Sequence, residues 1–298
     1  MASNGVLSMQ ARIRKYLGRA PTLTRTLQTA RAVLHLGPWR HAARALVRRN
    51  RPPLYGTAAA QARVPLQLDA SRLVQALRAD GIAMANQLPA DVLSRVRAVT
   101  DELRPNEYGH FHEHPDVRAL VQCVDVLEVV RGYLGAEPEL LECTLVIHHP
   151  EDPASRPVHP QRLFHFDYAG WQSLNLFVYF TDVNEDSGAH QVIIGTHRHR
   201  NIRDAFRQRV PDDEILAKYP DRVRTITGPA GTMFFEDTEA FHRRQLMKDR
   251  RVMLNVLYAS HRSWLSKGRL TPNYSDYLQS LRTSGVGTHR PQSVLPRG

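Results

Sequence analysis

The sequence predicts a mainly β domain preceded by helices, and three observations support this fold class. Short runs rich in β-branched and aromatic residues recur over 143–260, separated by clusters of Gly, Pro, Asn and Asp. Before them, apolar residues recur at the spacing of amphipathic helices. The chain, 298 residues with 42% hydrophobic composition, is large enough for a sizeable core. Several short antiparallel strands in a chain of this size favour a jelly-roll or a barrel.

Residues 1–68 are predicted to be a basic helical extension followed by a linker. They contain twelve Lys or Arg residues and no acidic residue. Subtracting these twelve from the 40 basic residues of the chain leaves 28, against 29 acidic residues, so the net charge of +11 belongs to this segment. Because the excess is local, the high isoelectric point does not indicate a nucleic-acid-binding protein, and no nucleic acid is expected as a partner.

Four interpretations of this basic segment remain open. Residues 1–56 are suited to peripheral contact with an anionic membrane, and the same charge suits an acidic substrate or partner. An Arg-rich, acid-poor start also fits an organelle-targeting peptide. The remaining interpretation is a helical extension that packs on the main domain and exposes a solvated basic face.

Hydropathy and cysteine content indicate a cytoplasmic protein, with the membrane surface as a further option. No stretch approaches the roughly 18 uncharged apolar residues that a membrane-spanning helix needs. Cys123 and Cys143 are the only cysteines, too few for a disulfide framework. We expect both to be buried free thiols.

The main domain is predicted to run from residue 69 to residue 265, with a loosely ordered tail over 266–298. Its first part, "SRLVQALRADGIAMANQLPADVLSRVRAVTDELR", predicts a helix, a turn at Gly81, a short strand and a second helix. "PDVRALVQCVDVLEVVRGYLG" predicts another helix that ends at Gly132 or Gly135. The predicted strands are "CTLVIHH", "LNLFVYFTDV", "HQVIIGTH", "VRTITG", "GTMFFED" and "RVMLNVLYAS".

The stretch "RLFHFDYAGW" places His165 and Asp167 two residues apart in an apolar, aromatic run. Residues i and i+2 of a strand point to the same side, so the two side chains would project together. An imidazole nitrogen and a carboxylate oxygen on one face are two of the three ligands of a 2-His-1-carboxylate site, which leaves positions open on Fe(II). The pair alone has low specificity, since a hydrogen-bonded surface pair has the same spacing.

A third ligand candidate follows in "GTMFFEDTEAFHRRQLMKDRRVMLNVLYAS". A predicted strand leads through an acidic turn to His242, and a basic turn then leads to a strand that begins at Arg251. With "FTDVNEDSGAHQVIIGTHRHR" between the two regions, the order and spacing of motifs resemble the iron- and 2-oxoglutarate-dependent dioxygenases of the phytanoyl-CoA dioxygenase type. The resemblance covers residues 70–262, and Thr196 stands where that family usually has serine.

The resemblance implies a double-stranded β-helix core, the cupin-like jelly-roll. It also implies Fe(II) held by the catalytic residues His165, Asp167 and His242, with 2-oxoglutarate and O2 as co-substrates. The implied reaction is hydroxylation, or another oxidation, of an unactivated C–H bond in a small-molecule or lipid-like substrate, with release of succinate and CO2. The basic N-terminal segment mildly favours an anionic substrate.

The resemblance also implies co-substrate ligands. Arg251 would bind the distal carboxylate of 2-oxoglutarate, because a guanidinium stays charged and offers two coplanar donors. Arg250 is the rival, since the turn is about one residue shorter than in the family; strand alternation favours Arg251, which shares a face with Met253 and Asn255. Asn175 would hydrogen-bond the oxo-acid end, unless backbone groups satisfy it.

Two alternatives remain. The chain could be a non-catalytic jelly-roll binding protein that docks on anionic lipid or glycan through its basic N-terminal segment. The histidines of "HFHEH" (His110, His112 and His114) have a spacing that suits adventitious zinc, although a solvated loop leading into a helix is the favoured interpretation.

Overall fold

The computed structural model describes Trp39, Val64, residues 66–154, 159–167, Ala169, 171–198 and 209–260. Most of the predicted N-terminal extension and the whole predicted tail over 266–298 therefore lie outside the described residues. Val64 and Leu66 are buried in the main core, so packed chain begins before residue 69. The domain limits of 69 and 265 remain predictions.

The helices of the described part precede most of the strands. They are α1 (Ala70–Asp80), α2 (Ala90–Thr100), α3 (Pro115–Val121), α4 (Val124–Leu134) and, later in the chain, α5 (Asp212–Lys218). Asp69 caps the start of α1 by accepting a hydrogen bond from the Arg72 backbone N–H. The helix ends at Gly81, whose φ of 85° lies in the left-handed region that glycine adopts without strain.

The stretch predicted to be one helix before the strands is in fact two, α3 and α4. Gln122 and Cys123 separate them, and the extended angles of Cys123, φ −58° and ψ 137°, break the helical path. The Cys123 thiol donates to the Val64 carbonyl oxygen at 3.4 Å. Of the two glycines predicted to close the helix, Gly135 does so, at φ 63°. Both Cys123 and Cys143 are buried free thiols, as predicted.

The described strands form two antiparallel sheets. In chain order the strands are β1 (Ile82–Met84), β2 (Asn106–Tyr108), β3 (Glu139–His148), β4 (Phe164–His165), β5 (Ser173–Tyr179), β6 (His190–Ile193), β7 (Arg209–Val210), β8 (Val223–Ile226), β9 (Met233–Glu236), β10 (His242–Arg244) and β11 (Arg251–Ala259). The large sheet has the order β1-β9-β5-β11-β3-β2, and the small sheet has the order β7-β4-β10-β6-β8. Two such sheets face to face with helices on one side are the predicted double-stranded β-helix.

Alternation along the central strands sorts side chains between the two faces of the large sheet. In β11, Val252, Leu254 and Val256 belong to the main core, together with buried apolar residues of α1, α2, α3 and α4. The helices therefore cover one face. The intervening Met253 belongs to a second core cluster with residues of both sheets, including Phe177 and Val192. The other face of the large sheet thus meets the small sheet, and the cavity lies between them. Among the described residues, no helix is long and apolar enough to cross a bilayer.

Thr196 links the turn after β6 to the residue before His242. Its buried hydroxyl donates to the Ile193 carbonyl oxygen at 2.7 Å and accepts from the Phe241 backbone N–H at 2.9 Å. One hydroxyl therefore satisfies two backbone groups and fixes where β10 starts. Serine, the usual residue of the resembling family, carries the same hydroxyl.

We expect Thr196→Val to lower the free energy of unfolding by about 1–3 kcal/mol, because a methyl group leaves the buried Phe241 N–H without its partner and removes one of the two hydrogen bonds to the Ile193 carbonyl oxygen. Thr196→Ser is the matched control, since it keeps the hydroxyl. Urea unfolding followed by circular dichroism measures both variants. Equal stability of the two would show that the hydroxyl does not hold this turn.

Candidate metal centre

The two predicted histidine ligands face each other across neighbouring strands of the small sheet. His165 in β4 and His242 in β10 are direct register partners, and their ring centroids are 4.4 Å apart. Asp167 follows just after β4 ends, and its backbone N–H donates to the Thr238 carbonyl oxygen at 2.7 Å. Its Oδ2 lies 3.9 Å from Nε2 of His165 and 3.8 Å from Nε2 of His242. Residues far apart in sequence thus bring three ligand atoms to one point.

Backbone carbonyls orient both imidazoles. Nδ1 of His165 lies 2.8 Å from the Leu163 oxygen, and Nδ1 of His242 lies 3.0 Å from the Ala240 oxygen. A carbonyl oxygen only accepts, so in each ring the proton of this bond is on Nδ1. In the neutral form Nε2 then keeps its lone pair and points toward Asp167, which is the tautomer that a metal requires.

The electrostatics of the site suit a divalent metal. Burial lowers the pKa of His242 to about 4, and burial also lowers the pKa of His165, so both rings are neutral near pH 7. The Asp167 side chain is 47% exposed and opens toward solvent. The three ligand atoms lie within 4.8 Å of one another, the one such group found in the described part of the chain. Two neutral nitrogens and one carboxylate fit Fe(II) with open positions.

The three candidate ligands line a cavity between the sheets. It encloses about 510 Å³ of empty space, part of which is open to solvent. Eleven of its fourteen lining residues are polar, and the apolar ones are Val146, Phe177 and Met253. The polar residues are Gln161, His165, Asp167, Asn175, His190, Thr238, His242, Arg243, Arg244, Arg251 and Asn255.

The two rival arginines point in different directions. Arg251 lines the cavity, is 2% exposed, and donates from Nη1 to the Gly188 carbonyl oxygen. Its Nε is buried without a hydrogen-bond partner, and burial lowers its pKa to about 10, so it stays cationic near neutral pH. Arg250 instead donates to Asp101 at 3.2 Å and to the Thr100 carbonyl oxygen at 3.0 Å, away from the cavity.

Asn175 also lines the cavity. Its Nδ2 donates to Oδ1 of Asn255 at 2.6 Å, and its Oδ1 accepts from the Thr238 hydroxyl at 3.2 Å. These partners are side chains, whereas sequence reasoning had considered backbone groups. Asn175 is therefore held in the wall with one amide hydrogen left to face a ligand.

Sequence reasoning missed two buried ionisable residues behind the site. Nε2 of His190 lies 2.6 Å from Oε2 of Glu236, and Oε1 of Glu236 lies 3.6 Å from Nδ1 of His242. Burial raises the pKa of Glu236 to about 8 and lowers the pKa of His190 to about 3. The available signal was strand alternation, because Glu236 shares a face of β9 with Phe234, which packs between the sheets.

A second guanidinium also reaches the cavity. Both Nη atoms of Arg244 donate to the Glu151 carboxylate, and its Nε donates to Oε1 of Gln161 at 3.2 Å. Unlike Arg251, this arginine is already neutralised by a carboxylate. The sequence predicts only a basic turn here, whereas Arg244 belongs to β10.

Two histidines and one carboxylate that converge on one point, inside a double-stranded β-helix, are typical of the non-haem iron oxygenases. The family model described as phytanoyl-CoA dioxygenase (PhyH) matches residues 62–243. The chain belongs to this family, and it is therefore an Fe(II)- and 2-oxoglutarate-dependent dioxygenase, an oxidoreductase rather than a non-catalytic binding protein. Because the match ends at residue 243, the role of Arg251 rests on geometry alone.

Solved structures support the fold. EctD from S. alaskensis with bound Fe is 19% identical with a TM-score of 0.52, covering 75% of this chain and 92% of its own. SnoK, a non-heme alpha ketoglutarate dependent carbocyclase from nogalamycin biosynthesis, is 17% identical with a TM-score of 0.51, covering 70% and 89%. No curated protein sequence resembles the chain closely enough to count as a match.

Metal affinity is expected to change by only a few-fold between about pH 7.5 and about pH 5.5, because burial holds the pKa of both histidines below the ordinary value. The neutral, metal-binding form of His242 is lost only as the pH falls through about 4. Two ordinary histidines, each with a pKa of about 6.5, would both be mostly protonated at about pH 5.5, and the metal affinity would fall about a hundredfold. Titration with Co(II), followed by visible absorption, measures the affinity, and a hundredfold loss would contradict the prediction.

Proposed function

We propose that this dioxygenase hydroxylates, or otherwise oxidises, an unactivated C–H bond of a small polar molecule, with His165, Asp167 and His242 as the Fe(II) ligands. The observation that carries this proposal is the convergence of the three ligand atoms, within 4.8 Å of one another, inside a cavity that also contains Arg251, which has no carboxylate partner among the described residues. Fe(II) with 2-oxoglutarate and O2 supplies the oxidation and releases succinate and CO2.

The side chains of the protein position the metal and the co-substrate and enclose them in the cavity. The carbonyl oxygens of Leu163 and Ala240 hold the two imidazoles in the tautomer that presents Nε2. Arg251 binds the distal carboxylate of 2-oxoglutarate with two parallel N–H donors, and Asn175 offers an amide hydrogen to the oxo-acid end. Because Arg251 is almost fully buried, water competes little for this pairing.

The composition of the cavity supports a polar substrate over a lipid-like one. An acyl chain would need a continuous apolar wall, whereas the described lining residues include only Val146, Phe177 and Met253 as apolar side chains. Arg243 and Arg244 stand in the same wall, and although each is paired with a carboxylate, their side chains add to the polar surface that a substrate with hydroxyl groups would meet. Membrane contact through residues 1–56 falls outside the described residues and remains a prediction.

Replacing a metal ligand tests the proposal directly. We expect His165→Ala, Asp167→Ala and His242→Ala each to reduce succinate formation from 2-oxoglutarate to the rate seen without metal, because two ligands no longer hold Fe(II) in place. His149→Ala is the matched control, since His149 is exposed and does not line the cavity. Wild-type turnover that persists after the metal is stripped would rule out the proposal.

The two adjacent arginines provide a second test. Arg251→Gln should raise the KM for 2-oxoglutarate by about ten- to a hundredfold, the cost of losing charge-assisted hydrogen bonds. Arg250→Gln should leave that KM within about twofold of wild type, because Arg250 bonds to Asp101 outside the cavity. Steady-state kinetics with varied 2-oxoglutarate separates the two variants. The reverse ranking would assign the co-substrate to Arg250.

A further inference from the structure

The wall behind the metal centre contains a carboxyl group whose burial does not favour stability. Glu236 is 0% exposed and lies on β9 beside Phe234 and the aromatic side chains between the sheets. A carboxyl group in such surroundings is costly unless a partner satisfies it, and an apolar side chain of similar size would pack there without that cost. Its placement therefore calls for a role beyond packing.

The nearest partner of Glu236 is the imidazole of His190. Oε2 of Glu236 lies 2.6 Å from Nε2 of His190, but the angles are not those of a hydrogen bond, so the pair is in close contact without satisfying each other. The other oxygen, Oε1, lies 3.6 Å from Nδ1 of His242, which already bonds to the Ala240 carbonyl. The carboxyl group thus lies directly behind the ring of His190 and makes only a longer contact with the metal-binding ring of His242.

His190 lines the same cavity as the metal ligands and Arg251. Its ring stacks on that of His242 with centroids 5.5 Å apart and an interplanar angle of 19°. At the other end, Arg251 donates to the carbonyl oxygen of Gly188, two residues before His190. We therefore expect a five-carbon diacid that reaches from the metal ligands to Arg251 to pass beside this ring.

We propose that His190 is a further co-substrate-contacting residue and that Glu236 is the positioning residue that holds its ring. The inference rests on the proposed function of the cavity. Because Nε2 faces Glu236, Nδ1 is the ring nitrogen that remains for a ligand, and a 2-oxo diacid presents carboxylate oxygens on this path. The cavity therefore recognises 2-oxoglutarate along its length and not only at its two ends.

Anaerobic titration of 2-oxoglutarate into the Fe(II)-loaded protein, followed by the visible charge-transfer band, tests the contact. His190→Phe should weaken 2-oxoglutarate binding about tenfold, the effect of one lost hydrogen bond to a charged group. Fe(II) affinity without 2-oxoglutarate should stay within about twofold of wild type. His190→Asn, whose amide nitrogen can replace Nδ1, should recover part of the loss. Gln191→Met is the control, because Gln191 bonds to Thr225 and Arg243 and does not line the cavity.

A double-mutant cycle tests the positioning role. Glu236→Leu should weaken 2-oxoglutarate binding in the wild-type background and have no further effect in the His190→Phe background, because Glu236 acts through His190. The double variant also removes the buried polar pair as a whole, so it should fold even where Glu236→Leu alone does not. Additive effects would overturn the positioning role, and unchanged 2-oxoglutarate affinity in His190→Phe would overturn the contact. If wild type itself shows no band and forms no succinate, the proposed function fails, and this inference fails with it.

Discussion

The register of β4 against β10 is the constraint on which the rest of the site depends. Because His165 and His242 are direct partners, their rings stand side by side on the cavity face, and Asp167 needs only to follow the end of β4 to complete the triad. A one-residue slip of β10 would turn His242 outward and replace it with Arg243. The Thr196 hydroxyl, bonded to the residue before His242, opposes that slip.

Side chains of β11 alternate between the helix-covered core and the cavity, so the same strand contributes to stability and to the site. Its even-numbered residues from Val252 onward pack against the helices, and Arg251, Met253 and Asn255 face the cavity. The helices packed on the other face thus hold the strand that carries Arg251 into the cavity. Because of this separation, the cavity face of the sheet can carry buried polar groups. Burial of apolar side chains on the opposite face offsets the free-energy cost of those groups.

The sequence was most informative where period and spacing alone determine geometry. The alternation at Arg251 followed from strand periodicity, and its side chain lies in the cavity. His165 and Asp167 both reach the cavity as predicted, although β4 ends at His165 and Asp167 lies just beyond the strand. The break between α3 and α4 was not predictable, because Cys123 departs from the helix to reach the Val64 carbonyl, a tertiary contact. Glu236 and His190 were missed for the same reason: they are far apart in sequence, and only the approach of β9 to β6 makes them a pair.

Charge balance gives a physical reason for the cavity to take a dianion. Arg244 is neutralised by Glu151 and Arg243 by Asp212, so Arg251 is the guanidinium of the cavity wall that has no carboxylate partner among the described residues. With Fe(II) and Asp167 the site has a net charge of about +2 once Arg251 is included, and a doubly charged diacid brings it to zero. A monoacid would leave the guanidinium buried and unpaired, which is the costly state. Selection for a diacid is therefore a consequence of burying Arg251 and of pairing every other buried charge nearby.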